Sequence, residues 1–226
     1  KRFKKLKEIQ KDNNSDTIDK LITIVKKNCT TKFDEAIDLS FQINNKQKKN
    51  EINLRTVVNM PGGTGKKVKV AVVCEEAKSK EAKDAGADVV GGDDLIEQIK
   101  SGDLNFEKLI CTSSMMIKLS KLGKVLGPKG LMPNPKLGTV TDDVKKAIKD
   151  SKSGQVEIRN DKDGNIGVTI GKKSFTDENL IKNYNAIIEV LEKEKSNITI
   201  KGDLIKSLFI TSTMGVSYKL KLNKNI

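Results

Sequence analysis

Apolar residues alternate with polar ones across 35–43, where Ile37, Leu39, Phe41 and Ile43 interleave with Asp38, Ser40 and Gln42. A period of two predicts a strand with one face buried. Before it, Ile18, Leu21, Ile22 and Val25 recur at helical spacing, with Ser15 and Asp16 as candidate caps for the helix they begin. After it, the polar stretch 44–50 reads as a loop and 53–60 as a second strand. The pattern changes at Lys67. Val68 to Cys74 is a continuous apolar run, as expected of a strand covered on both faces. Helix and strand signals then alternate: a helix over 79–85 closed by Gly86, a strand over 88–90, a helix over 93–100, a strand over 109–112 and a helix over 113–122. This alternation predicts a parallel α/β layer.

A second change comes at Ser153-Gly154. Two strands, 155–160 and 165–170, flank Asp161-Lys162-Asp163-Gly164, a hairpin signal. A helix from Asp177 to about Lys195 turns Leu180, Tyr184, Ile187, Ile188 and Leu191 inward, and strands over 198–200, 207–213 and 216–222 close the chain. The early strands need partners, and the late ones can supply them. The expected fold class is therefore α/β with two domains. That gives a discontinuous α+β sandwich domain with the small parallel α/β layer inserted between two hinges. Gly62, Gly63 and Gly65 on one side, and Ser153 and Gly154 on the other, are the expected hinge.

Lys121 to Val140, from the end of the helix predicted over 113–122 up to Thr141, holds three of the four prolines. Proline donates no amide proton and fixes φ, so the run is expected to be neither a helix nor a central strand. Its apolar residues, Leu122, Val125, Leu126, Leu131, Met132 and Leu137, give it anchors that a linker lacks. Thr141-Asp142-Asp143 caps the next helix, with its acids expected in the first turn.

Composition narrows the chemistry. Lys and Arg number 43 against 30 acids, a formal +13, which suits a polyanionic partner. There is no histidine, which removes imidazole acid–base chemistry and imidazole metal sites. Aromatic residues make up 4% and Trp is absent, a poor basis for a broad base-stacking platform. The three cysteines, Cys29, Cys74 and Cys111, lack metal-ligand spacing and read as small buried thiols. No cofactor is expected. No apolar run reaches the length of a membrane span. The chain opens on Lys rather than Met, so a targeting peptide ahead of it would not be visible in these residues. The basic stretch 1–11 is either an arm for RNA phosphates or a solvated tail or helix start. Pro61-Gly62-Gly63-Thr64-Gly65-Lys66 departs from a phosphate-binding loop, because Lys67 stands where Ser or Thr is required and a strand follows.

Candidate binding residues follow from local chemistry. Thr213-Met214-Gly215 lies between the last two strands. It is either an ordinary turn or a thioether beside bare backbone that can lie on a sugar, with the Thr hydroxyl available to a ribose hydroxyl. Phe33, with Lys32 beside it, sits in the polar sequence TKFDE, as a core residue or as a surface for stacking. Lys172 and Ser174 are either a solvated turn or phosphate contacts. Arg55 and Arg159 offer rigid forks to phosphate or base edges, or pair with nearby acids.

The string GPKGLMPNPKLGTV resembles, nearly residue for residue, a segment of the large-subunit ribosomal protein L-one family. KFDEAIDLSF at 32–41, MPGGTGK at 60–66, AGADVVGGDDLI at 85–96 and TSTMG at 211–215 extend the resemblance over roughly 16–220. The resemblance implies the same layout, with 1–63 and 156–226 as the discontinuous RNA-binding α+β sandwich domain and 64–155 as an inserted Rossmann-like three-layer α/β domain, and a non-catalytic protein of the ribosome, in a bacterial cytoplasm or organelle matrix. Its implied partners are large-subunit rRNA, exit-site tRNA, other ribosomal components and, in bacterial members, its own mRNA, whose translation they repress. A monomer is expected when the protein is free. The implied role is the mobile stalk that accompanies deacylated tRNA from the exit site, with Thr213, Met214, Gly215, Phe33 and the GKKS stretch on the RNA-contact surface. Val216 departs from a common proline and Gln155 from a frequent basic residue. Two other readings compete. One is an enzyme holding a nucleotide at the strand ends of the insert, with Lys124, Lys129 or Lys136 on its phosphates. The other is a generic basic RNA chaperone without preference among hairpins.

Overall fold

A computed structural model describes residues 2–12, 17–44, 54–102, 104–197 and 203–221. The chain divides into two compact units, Lys1–Gly65 with Val156–Ile226, and Lys66–Gln155. The cap expected at Ser15 and Asp16, the loop after Asn44 and the strand expected over 198–200 lie outside the described residues.

The first unit opens with α1 (Arg2–Asp12) and α2 (Ile18–Asn28). The basic N-terminal stretch is thus a helix, and its Leu6 is buried in the unit's core. Thr17 occupies the N-cap of α2 without a side-chain cap bond. The strands of this unit are β1 (Ala36–Ile43), β2 (Arg55–Asn59), β6 (Gln155–Arg159), β7 (Asn165–Lys172), β8 (Ile205–Ser212) and β9 (Tyr218–Lys219), where Gln155 is the last residue of the second unit. β1 lies inside a four-stranded antiparallel sheet of order β7-β1-β8-β9. Its alternation does what the pattern predicts: Ile37, Leu39, Phe41 and Ile43 are buried while Ser40 is exposed.

One face of that sheet is covered by α2 and by α8 (Asp177–Asn197). Leu21, Ile22 and Val25 meet Leu180, Ile187 and Leu191 in one core cluster. Gly171 lets α8 come close, since a Cβ there would stand 2.8 Å from Leu180 and from Phe175. β2 pairs with β6 in a separate two-stranded ribbon, not with β1. The turn after β6 forms as expected, with the Asp161 amide donating to Asn165 O, but only the Asn160–Ile166 bridge joins its arms before they part into different sheets.

The second unit contains β3 (Val70–Val73), α3 (Glu76–Asp84), β4 (Val89–Gly91), α4 (Asp93–Ser101), β5 (Lys108–Cys111), α5 (Ser113–Ser120), α6 (Gly123–Leu126) and α7 (Val144–Lys152). Its sheet is parallel, in the order β4-β3-β5. Ala71 and Val73 pack with Leu95, Ile99 and Leu119 on one side, and Val70 and Val72 with Ala82, Val144 and Ile148 on the other. Burial on both faces explains the unbroken apolar run. Gly86, at φ +90°, closes α3: its amide donates to Lys83 O and that of Ala87 to Ala82 O, the paired bonds of a left-handed helix stop. Asp143 is the N-cap of α7 and accepts from the Lys146 amide, so the two acids precede the first turn rather than occupy it.

The proline-rich run is more regular than its composition suggests. It contains α6 and a 3-10 turn over Pro135–Leu137, whose Asn134 cap accepts from the Lys136 amide. Leu126 and Leu137 are buried, and Val140 forms a parallel bridge to Cys111 at the sheet edge. Lys124, Lys129 and Lys136 are exposed.

Candidate nucleic-acid interface

The strand β1 begins at Ala36, opposite Lys172 at the end of β7, and Ile37 faces Ser212 at the end of β8. Three connections therefore meet at one end of the sheet: the loop 29–35, the turn 173–176 and the turn 213–217. Lys32, Phe33, Lys172, Ser174, Thr213, Met214 and Gly215 are brought together here although they are spread over most of the chain.

Glu35 joins these pieces. Its side chain is fully buried; Oε1 accepts from the Thr31 hydroxyl at 2.7 Å and Oε2 from the Met214 amide at 3.1 Å. Burial alone would raise the pKa of this carboxyl. Hydrogen bonds from Thr31, the Met214 amide and Ser212 outweigh burial and hold it below the ordinary value. A buried anion is thus held in place by donors from both loops. Ser212 also explains Gly215, because a Cβ there would lie 2.4 Å from Ser212 Oγ.

Thr213 is half committed. Its hydroxyl accepts from the Ala36 amide at 3.0 Å and donates, at a long 3.4 Å, to Ala36 O. One lone pair remains to accept from a ribose hydroxyl, and the contact to Ala36 O is too long to hold the proton firmly. Ser174 is more fully engaged: its amide and hydroxyl both donate to Asp34, at 3.0 and 2.7 Å. It locks the turn to the loop and does not hold out a hydroxyl for phosphate. Lys173 does the same from the other side, reaching Cys29 O at 2.6 Å, while its amide donates to Glu35 O.

Two large apolar side chains on this frame face solvent. Phe33 and Met214 are each 52% exposed. At the same end of the sheet Lys32 is exposed and Lys172 half-buried, the latter with its side chain against Gly65. A ring and a thioether held out by a rigid loop and turn, with lysines near, can lie on sugar and base while the ammonium groups meet phosphate. Glu35, Thr31 and Asp34 were missed by sequence reasoning, and only the acidic pair following Phe33 hinted at them.

Arg55 and Arg159 are elsewhere. Asn160 bridges Ile166, six positions back along β7 from Lys172, so the arginines lie near the opposite end, roughly 20 Å away at strand rise. Arg55 donates to Glu157 at 2.6 Å.

The expected hinge residues are differently held. Asn183 of α8, fully buried, accepts from the Gly62 amide at 2.8 Å and donates to Gly63 O at 2.9 Å and Ile170 O at 2.7 Å. Gly62 and Gly63 are thereby fastened to β7 and α8. Gly65 follows at φ +70°, packed against the Phe175 ring and Lys172, and Gly154, at φ +98°, stands just beyond the end of α7. Gln155 accepts from Lys108 at its backbone and side-chain oxygens, and Val216 is buried in the core of the first unit.

The three cysteines are buried and free. Burial pushes the Cys111 thiol up to about 11 and also raises Cys29. Among the described residues, no group of His, Cys, Asp and Glu could hold a metal ion, and no helix is long and apolar enough to cross a membrane.

Residues 25–216 match the model of the ribosomal protein L1p/L10e family. Over 226 residues the chain is 73% identical to the large ribosomal subunit protein uL1 of Pelagibacter ubique, covering 100% of this chain and 99% of that protein. It is 45% identical over 222 residues to the large ribosomal subunit proteins uL1 of Rickettsia africae and Rickettsia prowazekii, covering 97% of this chain and 92% and 93% of theirs. The family-model match spans the loop and turn that carry Phe33 and Met214, and the chain belongs to the ribosomal protein L1p/L10e family.

Proposed function

We propose that this chain is a non-catalytic constituent of a bacterial large ribosomal subunit, and that its first unit grips large-subunit rRNA with the sheet end that carries Phe33 and Met214. The names of its relatives support the ribosomal assignment. The observation that carries the RNA reading is the pair of half-exposed apolar side chains, Phe33 and Met214, held on loops fixed by the buried Glu35. Lys32 and Lys172 neutralise phosphates, and the remaining lone pair of Thr213 accepts from a ribose hydroxyl. The same surface accepts the protein's own messenger where that RNA presents the same shape, giving translational repression.

In this reading the second unit swings to accompany exit-site tRNA, bending beyond Gly63 at Gly65 and at Ser153-Gly154. Exposed Lys124, Lys129 and Lys136 on its proline-rich run suit contact with that tRNA. The test is a titration of the intact chain, over a salt series, with the rRNA stalk hairpin and an unrelated hairpin of equal length. The reading expects a preference of orders of magnitude that persists as salt rises, on top of the salt-sensitive phosphate component. Equal binding of both hairpins would leave only a generic basic RNA binder.

A further inference from the structure

At the far end of the same sheet a crevice of about 700 Å³ opens between β1, β7 and the β2-β6 ribbon. Its floor includes Ser40 and Gly167, which face each other in register on the exposed side of the sheet. Its rim carries Arg55, Arg159, Lys162 and Asp161. Gly167 is the informative residue. It sits inside β7 between buried Ile166 and Val168, with no positive φ to require glycine. A Cβ there would meet nothing within 4 Å, so packing does not require glycine either. Glycine inside a strand costs about 0.5–1 kcal/mol relative to alanine. A strand glycine often marks a bulge, a bend or the close approach of a ligand or another backbone; here the register with β1 runs unbroken through Gly167 and no backbone lies against it, which leaves room for a ligand.

The rim favours an anion. The side chains of Arg159 and Lys162 make no hydrogen bond or ion pair with the described residues, while Arg55 spends only its Nε on Glu157. The one carboxylate on the rim, Asp161, is turned to its own loop, where it accepts from the Asn165 amide at 2.6 Å and from Asn165 Nδ2 at 3.1 Å. We infer that this crevice receives a single unpaired nucleotide of the bound RNA, its base lying flat over Gly167 and Ser40 and its phosphate on Arg159 and Lys162. The inference rests on the proposed RNA-binding function and adds a second contact, roughly 20 Å from the Phe33–Met214 surface. The RNA must then present an unpaired residue at that distance from the main contact, a requirement a plain duplex cannot meet.

The test uses the intact chain, the stalk hairpin, and the variants Gly167→Thr and Arg159→Ala. A β-branched residue suits an exposed strand position, so Gly167→Thr should keep or raise the thermal midpoint. It should weaken hairpin binding about tenfold by filling the floor. Arg159→Ala should weaken binding by a similar factor and reduce the slope of log K against log salt by about one. If the parent binds the hairpin and both variants bind as the parent does, the crevice contact is wrong while the ribosomal reading stands. If the parent shows no preference for the hairpin, the ribosomal reading itself fails. Adenosine and guanosine monophosphates are titrated in parallel. Saturable binding of either, lost in Gly167→Thr while hairpin binding is unchanged, would make the crevice a free-nucleotide site and overturn the RNA contact.

Discussion

Replacing Asn183 by leucine keeps the volume and removes every hydrogen bond that this side chain makes. Three backbone groups lose their partner: the Gly62 amide, Gly63 O and Ile170 O. Ile170 is fully buried, so its carbonyl is left without water and costs about 1–3 kcal/mol. The two glycine groups lie in partly exposed backbone that water can reach, and each loses about 0.5–1.5 kcal/mol. The sum is about 2–6 kcal/mol, directed at the first unit, since every partner belongs to it. At about 2–4 °C per kcal/mol for a unit of this size, its calorimetric midpoint should fall by roughly 4–24 °C. Scanning calorimetry resolves this if the two units melt separately, and hydrogen exchange of the Gly62 amide reports the local loss directly. A midpoint shift under about 2 °C with unchanged Gly62 protection would show that Asn183 does not fasten this segment, and would return Gly62 and Gly63 to the set of free pivots.

Other consequences are simpler to check. Glu35 has its carboxyl held below the unfolded value, so its contribution to stability is present above the ordinary carboxylate range and is lost as pH falls through the depressed folded value. Glu35→Gln should therefore flatten the acid limb of the stability–pH curve, and an acid limb identical to that of the parent would refute this. Cys29, Cys74 and Cys111, all buried, should resist alkylation by iodoacetamide at neutral pH in the folded chain and react on unfolding; rapid labelling of the native protein would contradict the packing. Ser174→Ala should weaken RNA binding indirectly, by freeing the turn from Asp34, and raise exchange at the Ser174 amide; weaker binding with unchanged exchange would instead make Ser174 a direct contact.

Local pattern carried much of the fold. The alternation in β1, the doubly covered β3 and the helix stop at Gly86 all follow from spacing and residue type, because the forces that set them act within a few residues. Strand partners did not follow. β2 and β6 each had an adequate strand pattern, but nothing within them says that they pair with one another rather than with β1 and β7. The N-terminal helix was obscured in another way: Phe3, Leu6 and Ile9 keep helical spacing, but the surrounding lysines dominate the composition. At the candidate site, Phe33 and Met214 were legible as apolar residues in polar settings. The commitments of Thr213, Ser174 and Asn183 were not, since each bonds to a partner more than 100 positions away. Sequence could offer their hydroxyl and amide groups as free, and only the tertiary fold shows how far each is already used.

The most direct test of the RNA surface compares Phe33→Ala, Met214→Ala and Ile117→Ala in titrations with the stalk hairpin. Ile117, 75% exposed on the second unit, controls for the loss of any exposed apolar side chain. The account predicts that each of the first two variants loses about 1–3 kcal/mol of binding free energy while Ile117→Ala matches the parent. Equal affinity for all three would mean that the loop and turn held by Glu35 do not read the RNA.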